Sequence, residues 1–124
     1  MLEVDKYSRV PIYEQIIAEF ERIILTEEIS LHEAMPSVRS LSQELSVNPN
    51  TLQKAYSEME NRGLCFSVPG SGRFVAPRAK EILMSEKRKE LEEVKRLCEG
   101  LRSCGISEEE CIAAVKEAFE GGIS

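Results

Sequence analysis

The side chains best suited to recognise another molecule lie close together in this chain, and they are amides, a hydroxyl and one ammonium group: Asn48, Asn50, Thr51, Gln53 and Lys54. Asn and Gln pair bidentately with the edge of adenine, and Lys serves guanine or phosphate. The same composition is also typical of an ordinary solvated helix face. The stretch alone therefore leaves nucleic-acid recognition and a solvated helix equally open.

Residues 48–61 predict the helix that would present these groups. Asn48 suits the N-cap and Pro49 suits the first helical position, where its missing N–H costs nothing. Gly63 suits the end of the helix, because glycine enters the left-handed region without strain. Apolar residues recur at helical spacing and predict a buried stripe on the opposite side from the amides: Leu52, Ala55, Tyr56 and Met59.

A second short helix is predicted directly before this one. Ser37 suits its N-cap, and its inner face would consist of Val38, Leu41 and Leu45. Residues 46 and 47 leave room only for a tight turn. Two short helices joined in this way match the helix-turn-helix arrangement, whose second helix enters the major groove of DNA.

Two β-prone runs follow, residues 64–68 and 73–76, on either side of a glycine-rich turn. We interpret the turn, which contains Gly70, Ser71 and Gly72, as a hairpin turn and not as a phosphate-binding loop. A hairpin directly after a helix-turn-helix makes a winged helix. The predicted fold is therefore mostly α with a small β-hairpin: a winged helix-turn-helix domain, residues 1–78, followed by a short helical tail, residues 79–124.

Several motifs that occur in the right order resemble the signature of GntR-type transcription regulators: Val10-Pro11-Ile12-Tyr13-Glu14-Gln15-Ile16, Pro36-Ser37-Val38-Arg39, Asn50-Thr51, Ala55-Tyr56, Glu60-x-x-Gly63-Leu64 and Gly70-Ser71-Gly72-x-Phe74-Val75. The resemblance covers roughly residues 8–77. The Asn-Pro-Asn-Thr form and the short tail are similar to the YtrA-type subfamily. The resemblance implies a regulator that binds double-stranded DNA.

The resemblance also implies where DNA is contacted: at the start of the second helix, along the first turns of the recognition helix and at the wing. The matching residues are Ser37, Arg39, Asn48, Asn50, Thr51, Gln53, Lys54, Gly70, Ser71, Gly72 and Arg73.

Two places depart from the family pattern. Gln53 stands where the family often has a cation, which implies a weaker guanine or phosphate contact. The loop before Pro36 carries Glu28 and His32 where the family usually has glycines.

The net charge argues against DNA binding. The chain has 16 Lys+Arg against 22 Asp+Glu and a formal net charge of −6, whereas a DNA-binding domain is expected to be basic. Residues 36–56, however, carry Arg39 and Lys54 against Glu44 alone. Charges more than about 10 Å apart are largely screened at 0.1 M salt, so the predicted DNA face is locally positive. So few cations predict weak binding by a monomer.

The tail predicts two helices that need a partner surface. The first helix has a narrow stripe suited to helix pairing: Leu91, Val94, Cys98 and Leu101. Ser107 and Glu110 form a capping box that begins the second helix, which is expected to end at Gly121-Gly122. Its apolar face consists of Cys111, Ile112, Val115, Ala118 and Phe119. We favour a homodimer through these faces over a monomeric hairpin, and in the resembling subfamily the tail is the dimerisation region.

The four cysteines, Cys65, Cys98, Cys104 and Cys111, form no C-x-x-C pair. We interpret Cys65 first as a small hydrophobe that fills the hairpin core, and Cys98 and Cys111 as members of the apolar stripes. A thiol or metal sensor made of Cys98, Cys104 and Cys111 is the alternative, although the spacing is loose for zinc. No metal or other cofactor is predicted. A single histidine and no nucleophile motif argue against an enzyme.

No run of 18 apolar residues predicts a membrane span, and the first residues lack the features of a signal peptide, so a cytoplasmic protein is expected. We interpret the chain as a homodimeric repressor that binds an inverted-repeat operator. The family usually responds to a small-molecule effector, but a tail of about 46 residues is expected to be too short for a pocket of its own. The rival interpretation is a winged helix that binds protein and not DNA.

Overall fold

Five helices and one two-stranded hairpin make up residues 2–121, the part of the chain that the computed structural model describes. In chain order they are α1 Ile12–Leu25, α2 Val38–Leu45, α3 Pro49–Asn61, β1 Cys65–Val68, β2 Gly72–Val75, α4 Ala79–Ser103 and α5 Glu108–Glu120. The predicted order of elements and the predicted fold class, mostly α with a small β-hairpin, are confirmed.

Contacts divide the chain into two units, residues 1–84 and residues 85–124, so that α4 contributes to both. The first unit includes α1, α2, α3, the hairpin and the first residues of α4. Ala79 and Leu83, at the start of α4, are fully buried in its core. The division of function between residues 1–78 and residues 79–124 stays a prediction.

Three helices and the hairpin surround the core of the first unit, and the apolar stripe predicted on α3 lies at its centre. Leu52, Ala55, Tyr56 and Met59 are all fully buried. Tyr56 packs edge-on against Phe20 of α1, with ring centroids 5.5 Å apart. Its hydroxyl donates a hydrogen bond of 2.6 Å to the carbonyl oxygen of Pro36. These contacts fix the orientation of α3 on the core.

The ends of α2 and α3 follow the predicted capping chemistry. The Ser37 hydroxyl accepts a hydrogen bond from the Ser40 amide at 3.0 Å, and the Asn48 side-chain oxygen accepts one from the Asn50 amide at 2.8 Å. Ser46 lies in the left-handed region, with φ of 54°, which makes the sharp turn between the two helices. Gly63, with φ of 82°, follows the end of α3. Local sequence therefore determines both ends of the recognition helix.

The hairpin is antiparallel, with Cys65 opposite Val75 and Val68 opposite Gly72. Gly72, the last residue of the predicted turn, belongs to β2, so the strand begins one residue earlier than predicted. The loop before α2 joins the hairpin, because the Met35 amide donates to the Arg73 carbonyl oxygen at 2.8 Å. Cys65 is buried, and burial raises the pKa of its thiol to about 11. It is the small core residue that the sequence predicted.

The second unit contains the rest of α4, a turn and α5. The Ser107 hydroxyl accepts from the Glu110 amide at 3.2 Å, which confirms Ser107 as the N-cap of α5. The helix ends at Glu120 with Gly121 as its C-cap, and Gly122 of the predicted terminus lies outside the described residues. No residue from 85 to 121 is buried. This unit therefore lacks a core of its own within the described chain.

Candidate nucleic-acid interface

The polar side of α3 is exposed, as predicted. Asn48, Asn50, Gln53 and Lys54 are exposed, and Thr51 is half-buried. Because the opposite side of the same helix is fully buried, the helix has a single orientation on the core and its outer side chains have a defined direction. A rigid helix with amides on its outer face is the arrangement that reads base edges in a major groove.

The amides on this face differ in how free they are. The side-chain oxygen of Asn48 caps the helix, which fixes the orientation of this amide. Gln53 donates from Nε2 to the Ser57 hydroxyl at 3.1 Å, which orients its oxygen. Asn50 and Gln53 are the two amides predicted to read bases. The hydrogen bond to Ser57, one turn further along the helix, therefore fixes the orientation of the Gln53 side chain before DNA binds.

Lys54 has a neighbour that the sequence did not predict. Its Nζ atom lies 3.9 Å from the ring centroid of Tyr13, at the start of α1, which is a cation–π contact. The Tyr13 hydroxyl donates to Glu14 at 3.3 Å, and burial, followed by the charge of Glu14, raises the pKa of Tyr13. The start of α1 thus lies beside the recognition helix.

Arg39 is the exposed cation on α2, two residues after the cap residue Ser37. It forms no ion pair with any residue in the described part of the chain. The N-terminal turn of α2, with free backbone amides and the positive end of the helix dipole, also favours an anion. This place has the chemistry of a phosphate contact.

The tip of the wing is a tight exposed turn. Gly70 and Gly72 have φ of 80° and 114°, which only glycine adopts without strain, and the Ser71 amide donates to the Val68 carbonyl oxygen at 3.0 Å. Phe66 and Phe74 pack across the hairpin with centroids 6.1 Å apart. The aromatic pair stiffens the wing and leaves its tip free to approach a surface.

Arg73 points to a different place from the one that the resemblance suggests. Its guanidinium carbon lies 5.0 Å from the Tyr56 ring centroid, and its Nε lies 3.6 Å from Glu60 Oε1. The side chain is only 18% exposed, and Nε has no hydrogen-bond partner among residues 2–121. Arg73 therefore joins the wing to α3, and a DNA contact by Arg73 stays a prediction that requires this packing to open.

The tail carries most of its apolar stripe in solvent. Leu91 is 65% exposed, Phe119 is 83% exposed, and the other predicted contact residues are also at least partly exposed: Val94, Cys98, Leu101, Ile112 and Val115. The predicted apolar faces therefore exist. Their role in dimerisation stays a prediction.

A groove of about 480 Å³ lies between α4 and α5, within the tail. Its lining consists of Cys98, Arg102, Ile106, Glu108, Cys111, Ile112, Val115 and Lys116. This volume falls in the range of small-molecule pockets, about 300–1,000 Å³. The lining residues Ile112 and Val115 are 45% and 47% exposed, so the space is an open groove between two helices. The expectation that the tail is too short for a self-contained pocket stays a prediction.

Two of the three tail cysteines, Cys98 and Cys111, line this groove. Burial raises the pKa of Cys111, and the neighbouring Cys98 thiol adds to the shift. Cys104 is exposed and does not line the groove. Within residues 2–121 no cluster of three metal-ligating side chains occurs.

None of the described helices is both long enough and apolar enough to cross a membrane.

Comparisons with known proteins agree with this geometry. Residues 12–75 match the model of the gntR family of bacterial regulatory proteins. The HTH-type transcriptional repressor YtrA of Bacillus subtilis is 33% identical over 94% of this chain and 91% of its own length. A GntR family transcriptional regulator from Listeria monocytogenes superposes with a TM-score of 0.71, at 33% identity, over 92% of this chain and 98% of its own.

A third relative was solved with DNA. AraR(DBD), in complex with operator ORE1, has a TM-score of 0.52 and 29% identity over 61% of this chain and 93% of its own. That match spans less of the chain than the Listeria match, which extends through most of it. The buried stripe and outward amides of α3, the capped turn before it and the glycine wing are thus parts of a winged helix-turn-helix domain, and the chain belongs to the gntR family of DNA-binding bacterial transcription regulators.

Proposed function

We propose that this protein is a cytoplasmic repressor that binds an inverted-repeat operator as a homodimer. Each subunit lays the exposed face of α3 in a major groove, with Asn50 and Gln53 against base edges. Arg39 and the tip of the wing contact the phosphate backbone. The observation that carries the proposal is the single fixed orientation of α3, buried on one side and amide-rich on the other.

The relatives support the finer points. YtrA of Bacillus subtilis, which matches nearly the full length of this chain, is named a repressor. AraR(DBD) was solved in complex with an operator, and its match covers 61% of this chain. A winged helix that binds only protein would have no use for an amide-rich outer face on α3.

Charge supports the homodimer. The chain has a net charge of −6, and Arg39 and Lys54 are the cations of the helix-turn-helix. Because affinity from counterion release scales with the number of phosphates neutralised, a single domain binds weakly. Joining two domains raises avidity by about 10²–10⁴ without new contacts. A second copy of the tail would also cover the exposed stripe that includes Leu91 and Phe119.

The groove between α4 and α5 supports a small-molecule effector. Its size suits a small organic ligand. Its lining is mostly apolar and also includes three charged side chains, Arg102, Glu108 and Lys116. An effector held there would act on the same helices that are proposed to pair. Effector binding and dimerisation would then be linked.

Selection of bound DNA from a random pool with the full chain tests the proposal. An inverted repeat with half-sites about one helical turn apart is expected, because two-fold symmetric helix-turn-helix dimers read half-sites with that spacing. The same selection with Arg39→Ala serves as the control and should enrich the same sequence more weakly. Enrichment of nothing would overturn the DNA-binding proposal, and enrichment of a single half-site would overturn the dimer.

A second candidate function is a thiol-responsive regulator, which is supported by the presence of Cys98 and Cys111 in the lining of the same groove. Hydrogen peroxide would convert the two thiols to one disulfide with release of two waters. The raised pKa of Cys111 means less thiolate at neutral pH, so oxidation should be slow at pH 7 and faster at alkaline pH.

Mass spectrometry of the peroxide-treated full chain tests this second candidate, with operator binding measured before and after reduction. Loss of two hydrogens in wild type and Cys104→Ser, but not in Cys98→Ser, is expected, together with a change in operator affinity. A pair that does not oxidise, or a disulfide that leaves operator binding unchanged, would remove the candidate.

A further inference from the structure

The segment before α1, residues 5–10, is held in one shape by hydrogen bonds from Gln15 and from two of its own side chains. Gln15, half-buried in α1, accepts from the Asp5 amide at 2.7 Å and donates to the carbonyl oxygens of Asp5 and Val10, each at 2.9 Å. The Asp5 carboxylate accepts from the Tyr7 amide at 2.9 Å. The Ser8 hydroxyl accepts from the Val10 amide at 3.1 Å. The segment is therefore an ordered loop, called the N-terminal arm below.

The N-terminal arm lies at the edge of the recognition helix. The Lys6 ammonium donates to the Ser46 carbonyl oxygen at 2.9 Å, and Ser46 is the left-handed residue of the turn directly before α3. The next residues of the chain after the arm include Tyr13, whose ring lies under the Lys54 ammonium of α3. The Lys6 contact thus places the arm beside the turn that leads into α3, and the Tyr13 contact places the start of α1, which follows the arm, beside α3 itself. The N-terminal end of α3 is the end expected to approach DNA.

The arm presents a cation and an aromatic side chain that the fold does not use. Tyr7 is 98% exposed, and Arg9 is exposed and forms no ion pair with a described residue. The only acid of the arm, Asp5, is engaged with the Tyr7 backbone amide. A guanidinium and a phenol hydroxyl, with no competing carboxylate between them, suit phosphate oxygens.

We propose that the N-terminal arm is a further DNA contact, in which Arg9 and the Tyr7 hydroxyl bind phosphates that flank the groove occupied by α3. Lys6 and Gln15 are positioning residues: Lys6 ties the arm to the turn at Ser46, and Gln15 holds its shape. The contact is to the backbone, so it carries affinity and register but no base preference. The inference rests on the proposed DNA binding of α3 and adds a contact to it.

Titrations of the full chain with operator and with random DNA, over a series of salt concentrations, test the arm. Arg9→Ala should weaken binding about tenfold on both DNAs, since a charged hydrogen bond is lost, and should reduce the slope of log affinity against log salt by about 0.9. Tyr7→Phe, which removes only the hydroxyl, should weaken binding less and leave the slope unchanged.

Lys80→Ala is the matched control for charge. Lys80 is an exposed cation of the same unit, and its Nζ atom lies 3.3 Å from Oε1 of Glu27. Glu27 follows the C-terminal end of α1, whereas the arm precedes the N-terminal end. Its loss changes the net charge by the same amount as Arg9→Ala. If Lys80→Ala weakens DNA binding as much as Arg9→Ala does, the effect is one of overall charge and the arm is not a contact.

A double mutant tests whether Gln15 acts through the arm. Gln15→Ala alone should weaken binding, and adding Arg9→Ala to it should cause little further loss, because a loosened arm no longer presents Arg9. A merely structural role for Gln15 would instead give additive losses. Thermal unfolding of each variant checks that the core is intact.

The outcomes separate this inference from the proposed function. If wild type fails to bind any DNA, the proposed function fails. If wild type binds its operator and Arg9→Ala binds it with the same affinity and the same salt slope, the N-terminal arm proposal alone is overturned.

Discussion

The two units of the chain present opposite kinds of surface. In residues 1–84 the large apolar side chains fill a core, with Leu52, Tyr56 and Leu83 fully buried, and amides and cations remain outside. In residues 85–121 nothing is buried, and the exposed side chains include Leu97, at 67%, and Phe119, at 83%. Helices gain most of their stability from burying an apolar face. The first unit can therefore offer a polar surface to DNA, whereas the tail offers an exposed apolar surface, the one proposed above to pair with a second copy of the chain.

The largest effect expected comes from cutting the chain between the two units. A cut after Arg78, the boundary suggested by sequence alone, removes Ala79 and Leu83, both fully buried. Its product should lose about 2–5 kcal/mol of stability, as for the loss of a core leucine. A chain of residues 1–84 should keep the core, remain monomeric and bind operator about 10²–10⁴-fold more weakly than the full chain.

Thermal unfolding and sedimentation of the two truncated chains check this. Equal unfolding temperatures would show that the start of α4 does not belong to the core of the first unit. A dimeric chain of residues 1–84 would place the dimer interface outside the tail.

Charges placed in the apolar stripe of α4 should have the next largest effect. Leu91→Glu and Val94→Glu would put a carboxylate into the proposed interface, where it lacks a partner. Both variants should sediment as monomers with unchanged helix content. Ser85→Glu is the control, because Ser85 is exposed on the same helix and lies outside the stripe. If all three variants sediment alike, the stripe does not carry the dimer.

Substitutions on the DNA face should separate reading of bases from positioning. Asn50→Ala and Gln53→Ala should cost about 1–3 kcal/mol on the operator and little on random DNA. Arg39→Ala and Lys54→Ala should weaken binding to both and lower the salt slope by about one unit. Titrations on both DNAs measure this. An equal loss on both DNAs for Asn50→Ala would reduce its role to positioning.

Replacing Arg73 should have the smallest effect, and the result distinguishes a structural role of this residue from a DNA contact. Its guanidinium packs on Tyr56 and Glu60, so Arg73→Ala should lower stability by about 0.5–2 kcal/mol, the range of a cation–π contact, and change the salt slope little. Chemical unfolding and a salt series measure the two quantities. A flattened slope with unchanged stability would mean that Arg73 turns outward to DNA, as the family resemblance implies.

Much of the first unit could be predicted because its signals are local. Ser37 and Asn48 cap helices within three residues of themselves, and Leu52, Ala55, Tyr56 and Met59 define a buried side by spacing alone. The turn at Ser46 and the hairpin at Gly70 follow from short runs of chain. Such features depend only on residues that are close along the chain, so a single sequence is enough to predict them.

What the sequence by itself determined is therefore the element order, the outward face of α3, the glycine wing and the apolar stripes of the tail. Only the tertiary structure decided which distant groups meet: Lys6 with the Ser46 carbonyl, Lys54 with Tyr13, and Arg73 with Tyr56 and Glu60. It also placed Cys98 and Cys111 in the lining of one groove. It also decided that α4 begins inside the core of the first unit. The physical reason is that capping and periodicity act within a few residues, whereas contacts between elements depend on how whole helices pack.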